Sequence, residues 1–210
     1  MPQKVNIQAL TDEITGSIEK SGEKKTLLLH SCCAPCSSYC LEYLEPYFDI
    51  TVFFYNPNMD SAEEYERRAS ELTRFVKESG SSAKLIIREF DPKPFYEMAQ
   101  GLEDVPEGGE RCFRCYELRM RAAAEFAAGN GYDYFTTSLS ISPLKNSTKI
   151  NDIGEMLSGI YGVKHLPSDF KKKEGYKRSV ELSREYNLYR QDYCGCIYSK
   201  RRENKLEQDL

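Results

Sequence analysis

The sequence predicts an α/β fold in one domain, a parallel sheet with helices on both faces. Short apolar runs rich in β-branched and aromatic residues alternate with longer segments of helical spacing. No repeat and no low-complexity linker interrupts the 210 residues, and that length buries one full core.

Residues 1–24 are polar and are expected as an N-terminal arm or loose helix, with 25–210 as the single α/β domain. Lys25–Ser31 (KTLLLHS) reads as a buried strand. Ser37–Tyr47 has helical spacing, with Tyr39, Tyr43, Leu44 and Tyr47 on one side. Asp49–Tyr55 (DITVFFY) is a second strand, stopped by Asn56-Pro57-Asn58. Ser61–Ser79 repeats Tyr65, Ala69, Leu72, Phe75 and Val76 at three- and four-residue steps, as a long amphipathic helix does. Ala83–Phe90 is a third strand and Pro94–Leu102 a short helix. After the turn Glu107-Gly108-Gly109, Cys112–Gly129 is helical. Tyr134–Leu139 is a fourth strand, Ile150–Tyr161 a helix and Val163–Leu166 a short fifth strand. Tyr176–Tyr189 and Cys196–Gln208 close the chain as helices, the last one basic. In such sheets ligands sit beyond the carboxyl ends of the strands. His30–Cys36 and Ser138–Pro143 fall at that edge.

Composition narrows the function. No apolar run approaches a membrane span, and the first residues lack the apolar core of a signal peptide, so a cytoplasmic protein is expected, with no membrane partner. The net charge of −4 argues against non-specific coating of nucleic acid, yet leaves room for a local basic face. GxxxxGK[ST] and GxGxxG are both absent, which disfavours a P-loop NTPase or a dinucleotide enzyme.

Eight cysteines in such a chain point to metal or catalysis rather than a disulfide framework. Cys32-Cys33 lies at a strand-to-helix turn. A single cysteine there is ordinarily a small core hydrophobe. Two in a row point in different directions, and Pro35 starts the next helix. Cys112 and Cys115 share one face of a helix start, where free N–H groups favour thiolates. Two such pairs suit an iron–sulfur cluster or a zinc ion, and a structural zinc half-site fits Cys112-x-x-Cys115 equally on spacing. Cys194-Gly195-Cys196 is too tight for two ligands on one tetrahedral ion but suits a small, easily reduced disulfide. Cys36 is either a metal-linked thiol or packing, and Cys40 is packing.

His30 is a core histidine or a site residue beside Cys32. His165 is expected to be structural, and Asp169, following the short fifth strand, is expected at the cleft edge. The 15 tyrosines and 10 phenylalanines are chiefly core, with some available to stack on a base. Lys171–Lys173, Lys177-Arg178 and Lys200–Arg202 are basic segments, either a solvated face or a phosphate grip.

Five segments in order carry a resemblance: Leu28-Leu29-His30-Ser31-Cys32-Cys33-Ala34-Pro35-Cys36-Ser37, Tyr55-Asn56-Pro57-Asn58, Arg111-Cys112-Phe113-Arg114-Cys115-Tyr116, Thr137-Ser138-Leu139-Ser140-Ile141-Ser142-Pro143 and Tyr193-Cys194-Gly195-Cys196. From about Lys25 to Ser199 the chain resembles the QueH-type epoxyqueuosine reductases. The resemblance implies a Rossmann-like, nucleotide α-hydrolase-like catalytic domain that reduces epoxyqueuosine to queuosine in tRNA, the last step of that modification. It implies a [4Fe-4S] cluster on Cys32, Cys33, Cys112 and Cys115, and an additional iron ion nearby, with Cys36 as one candidate ligand. Removing the epoxide oxygen as water takes two electrons and two protons. Cys194 and Cys196 are expected as a redox-active pair, His30, Asp169 or a tyrosine as proton donor, and a separate electron donor as partner. Two other readings compete: an ATP-using tRNA-modifying enzyme on the same kind of sheet, and a zinc-stabilised RNA-binding module. The missing phosphate loop argues against the first, and the spare Cys-x-Cys against the second.

Overall fold

The computed structural model describes residues 6–200. Helix α1 (Ile7–Ser21) leads into β1 (Lys25–Ser31), α2 (Ala34–Leu44), β2 (Phe48–Phe54), α3 (Ala62–Glu78) and β3 (Lys84–Ile87). Then follow α4 (Lys93–Ala99), α5 (Glu110–Gly129), β4 (Tyr134–Thr137), a 3-10 turn (Ser138–Ile141), α6 (Ser147–Tyr161), β5 (Lys164–His165), α7 (Gly175–Glu185) and α8 (Ile197–Lys200).

The five strands form one parallel sheet in the order β3-β2-β1-β4-β5. Strand order reverses at β1, which pairs with β2 from Lys25↔Phe48 and with β4 from Leu27↔Tyr134. That reversal opens a crevice at the carboxyl ends of β1 and β4. The run Leu27-Leu28-Leu29 is apolar throughout because both faces of a parallel sheet are covered. Leu27 and Leu29 pack with Leu41, Leu44, Leu72 and Phe75 of α2 and α3. Leu28 points the other way, into Met120, Ala123, Ile150 and Leu157 of α5 and α6.

The N-terminal segment is a docked helix. Ile18 enters the first core cluster, and the Thr11 hydroxyl donates to the Pro167 carbonyl at 2.7 Å. Asn6 caps its start and Gly22, at φ +70°, its end.

Several boundaries differ from the sequence expectation for local reasons. Helix α2 begins at Ala34, three residues early, because Cys33 is an extended cap and Pro35 fits the first turn. Strand β4 stops at Thr137, whose hydroxyl accepts from Leu139 N at 3.2 Å and turns the chain into the 3-10 segment. Strand β3 ends at Ile87 rather than Phe90, and β5 is two residues long. Of the last expected helix, Ile197–Lys200 is formed, and 201–208 lie outside the described residues.

Candidate active site

Beyond β1 and β4 a cleft of about 540 Å³ opens, and six of the eight cysteines line it: Cys32, Cys36, Cys112, Cys115, Cys194 and Cys196. The β1–α2 turn supplies the first group. Because Cys33 caps α2 in an extended conformation, Cys32 and Cys33 are presented side by side, with Sγ atoms 3.8 Å apart. One turn into the helix, Cys36 completes a trio whose Sγ atoms all lie within 4.8 Å of one another, close enough for one metal ion. Cys40 sits one turn further, fully buried in the core, with its thiol on the Cys36 carbonyl at 3.2 Å.

The first turns of α5 bring Cys112 and Cys115 to the same cleft. Gly108 at φ +85° lets the preceding loop fold back, and its N–H donates to Cys112 Sγ at 3.3 Å. A side chain at Gly109 would reach within 2.8 Å of Val105 Cγ1.

The Cys194-Gly195-Cys196 loop is latched onto the β2–α3 connection. Asp60 N donates to the Gly195 carbonyl at 2.8 Å, Arg68 Nη1 to the Cys194 carbonyl at 3.3 Å, and the Tyr193 hydroxyl to Asp60 Oδ1 at 3.0 Å. Lys200 Nζ holds the other Asp60 oxygen at 2.9 Å. Gly195 sits at φ +103°, beside Met59 and Arg68. Both cysteines are free thiols.

The site is built to hold negative sulfur. Hydrogen bonds from Cys33 and Cys36 pull the Cys32 thiol well below its ordinary value. The partner thiols move up in response, Cys33 to about 12. Cys194 is lowered likewise, first by its bond from Cys196 and then by the Lys145 and Arg119 charges. Burial pushes Cys115 up to about 11. Of the five cations that line the cleft, Arg68, Arg119 and Lys145 interact with this sulfur by charge. Burial opposes the charge on Lys145, yet the Cys194, Cys32 and Cys36 sulfurs hold its ammonium above the usual range.

The other sequence candidates lie elsewhere. His30 is buried beneath the cleft with both ring nitrogens committed, Nδ1 to the Thr137 hydroxyl at 2.8 Å and Nε2 to the Tyr55 carbonyl at 3.1 Å. Burial lowers its pKa to about 3, so it is a neutral pin between strands. Asp169 is buried away from the cleft, ion-paired to Lys171 at 2.7 Å. His165 packs on the Phe135 ring, as a structural histidine does. Within the basic segments, Lys173 pairs with Asp12, Lys177 with Glu174, Arg178 with Glu42 and Lys200 with Asp60, all partly exposed ion pairs. Arg201 and Arg202 lie outside the described residues.

The sequence reading missed Arg68, Arg119, Lys145 and Tyr116, all in the cleft wall. For two of them there was a signal. Tyr116 and Arg119 lie one helical turn from Cys112 and Cys115 respectively. For Arg68 and Lys145 there was none.

The family model described as "Epoxyqueuosine reductase QueH" matches residues 27–202. Curated proteins of that name are similar over most of their length. The Staphylococcus epidermidis protein is 46% identical, with 94% of this chain and 85% of the relative covered. The Streptococcus pyogenes protein is 44% identical, with 94% and 79% covered. The Thermotoga maritima protein is 34% identical, with 87% and 95% covered. Among the described residues no helix is long and apolar enough to cross a membrane.

Proposed function

The chain belongs to the epoxyqueuosine reductase QueH family of oxidoreductases, and on that premise we propose that its thiol-lined cleft reduces epoxyqueuosine to queuosine in tRNA with the help of a bound iron–sulfur centre. The observation that carries this reading is the convergence of six cysteines and five cationic side chains on one cleft at the strand reversal.

The donor set fits an iron–sulfur group. It is all sulfur, it is largely buried, and the guanidinium Nη2 atoms of Arg68 and Arg119 are buried with no protein partner. Such donors suit sulfide and thiolate acceptors. Cys32, Cys33, Cys112 and Cys115 are proposed to hold a [4Fe-4S] cluster, and Cys36 an additional iron. The closeness of Cys36 to Cys32 and Cys33 favours that role over packing. When bound, such a centre supplies single electrons and a Lewis-acidic iron for the epoxide oxygen.

The chain's own residues do the rest. Opening the epoxide to the alkene consumes two electrons and two protons and releases water. Oxidation of the Cys194 thiolate and the Cys196 thiol to a disulfide yields two electrons and one proton, so the pair covers the electrons of one turnover and the second proton enters from solvent through the cleft. Hydrogen bonding from Cys196 keeps Cys194 ready as a thiolate, and Lys145 keeps it so in a buried setting. A separate electron donor then restores the dithiol. Tyr116 lines the cleft, whereas His30 and Asp169 do not, so its phenol is the side chain placed to carry a proton to the reaction. At the mouth, exposed Leu144 and Tyr176 offer apolar surface for the modified nucleotide. The reading puts the work in the cytoplasm, with tRNA as substrate.

Anaerobic purification tests it. Brown protein carrying iron and sulfide, and turnover of epoxyqueuosine-containing tRNA with a chemical reductant, are expected. A colourless zinc protein that leaves the tRNA unchanged overturns the reading.

A further inference from the structure

Arg119 is a buried cation with only neutral partners. Its side chain is 1% exposed, in the cleft wall. Nε donates to the Cys115 carbonyl at 3.2 Å and Nη1 to Asn56 Oδ1 at 3.4 Å, and Nη2 has no protein partner. Among the described residues no carboxylate pairs with it. Arg68 is equally buried, but Glu64 lies 2.6 Å from its Nε and cancels its charge. An uncompensated buried guanidinium is strongly disfavoured unless an anion faces it. What faces Arg119 is sulfur. It follows Cys112 and Cys115 at steps of seven and four on α5, and Cys32 and Cys194 share its cleft.

Resting on the iron–sulfur reading above, we propose that Arg119 is the fixed counter-charge of the metal–thiolate centre, a positioning residue that raises its reduction potential. A positive charge held in a low-dielectric wall stabilises the reduced, more negative state over the oxidised one. Its planar fork, locked by Asn56 and the Cys115 carbonyl, leaves one N–H edge for a sulfur acceptor.

The test is a spectroelectrochemical titration of anaerobically purified holoprotein, with iron and sulfide measured on every sample. Arg119→Gln is expected to shift the midpoint to more negative potential, and Arg119→Lys to restore most of it. The control is Arg121→Gln, on the same helix but ion-paired to Glu117 at the surface, and it is expected to leave the potential unchanged. If Arg119→Gln cannot retain iron while Arg119→Lys does, the charge is again the cause. A full iron complement with a wild-type potential in Arg119→Gln overturns the proposal and leaves the cofactor reading standing. Equal loss of iron in Gln and Lys variants overturns it in favour of packing. Iron-free wild-type protein overturns the cofactor reading itself, and the counter-charge with it.

Discussion

Replacing Gly195 by alanine tests whether the Cys194–Cys196 loop must be latched to work. The native φ of +103° is one that L side chains rarely adopt, and holding alanine there costs about 1–3 kcal/mol. The added Cβ would stand 2.6 Å from Met59 Sδ and 3.1 Å from Arg68 Nη1. Relieving that overlap adds about 1–3 kcal/mol, with Met59 able to yield more readily than the ion-paired Arg68. Against this stand two latches on the loop carbonyls, one from Asp60 N worth about 1 kcal/mol net and one from the charged Arg68 worth about 1.5–3 kcal/mol. The penalty is of the same size as the latch, and the loop is expected to undock before the domain unfolds. A bias of about 3 kcal/mol is roughly a hundredfold in the docked population. Alkylation of Cys194 and Cys196, followed by peptide mass analysis, should accelerate by one to two orders of magnitude on that arithmetic. Turnover should fall in parallel, while iron and sulfide stay at the wild-type level. Wild-type alkylation rates and turnover in Gly195→Ala would refute the reasoning, because the loop would then tolerate what the geometry forbids.

Other outcomes follow from the same geometry. Cys112→Ala should lower iron and sulfide content and abolish turnover, and a full complement in that variant would remove Cys112 from the ligand set. Cys36→Ser should keep the four-iron cluster but lose the additional iron, read by metal analysis; retention of that iron makes Cys36 a packing residue. His165 is buried with its pKa lowered by desolvation to about 3, so below the unfolded value of 6.5 the unfolded chain binds the extra proton. Its share of stability is whole above that value and declines as pH falls towards 3, by about 2 kcal/mol at pH 5, and His165→Gln should flatten that part of a urea-midpoint profile. Lys173→Glu and Arg178→Glu break partly exposed ion pairs with Asp12 and Glu42, worth about 0–1 kcal/mol each. If these cations serve the fold alone, tRNA affinity should stay within about twofold, whereas a several-fold loss that shrinks with added salt would restore them as phosphate contacts.

The chain's alternation of apolar runs and amphipathic segments determined the parallel sheet, because burial on both faces leaves no room for polar residues in Leu27-Leu28-Leu29 or Val52-Phe53-Phe54. The same local logic placed Cys32, Cys33 and Cys36 at a strand end and Cys112 and Cys115 at a helix start. Local patterns fix what neighbours in the chain do, and a motif of thiols announces itself by spacing. Other decisions needed tertiary structure. His30 follows an apolar strand exactly as a cleft residue would, yet pairing with Thr137 and Tyr55 turns its ring into the sheet. Lys173, Arg178 and Lys200 look unpaired in the sequence, yet the fold brings Asp12, Glu42 and Asp60, far away in sequence, to meet them. Arg68 and Lys145 sit in an amphipathic helix and a loop with nothing local to mark them, and only the fold sets them against sulfur. The difference is one of range: hydrophobic period and backbone chemistry act within a few residues, whereas the charge a buried group meets is set by elements that the sheet brings together from across the chain.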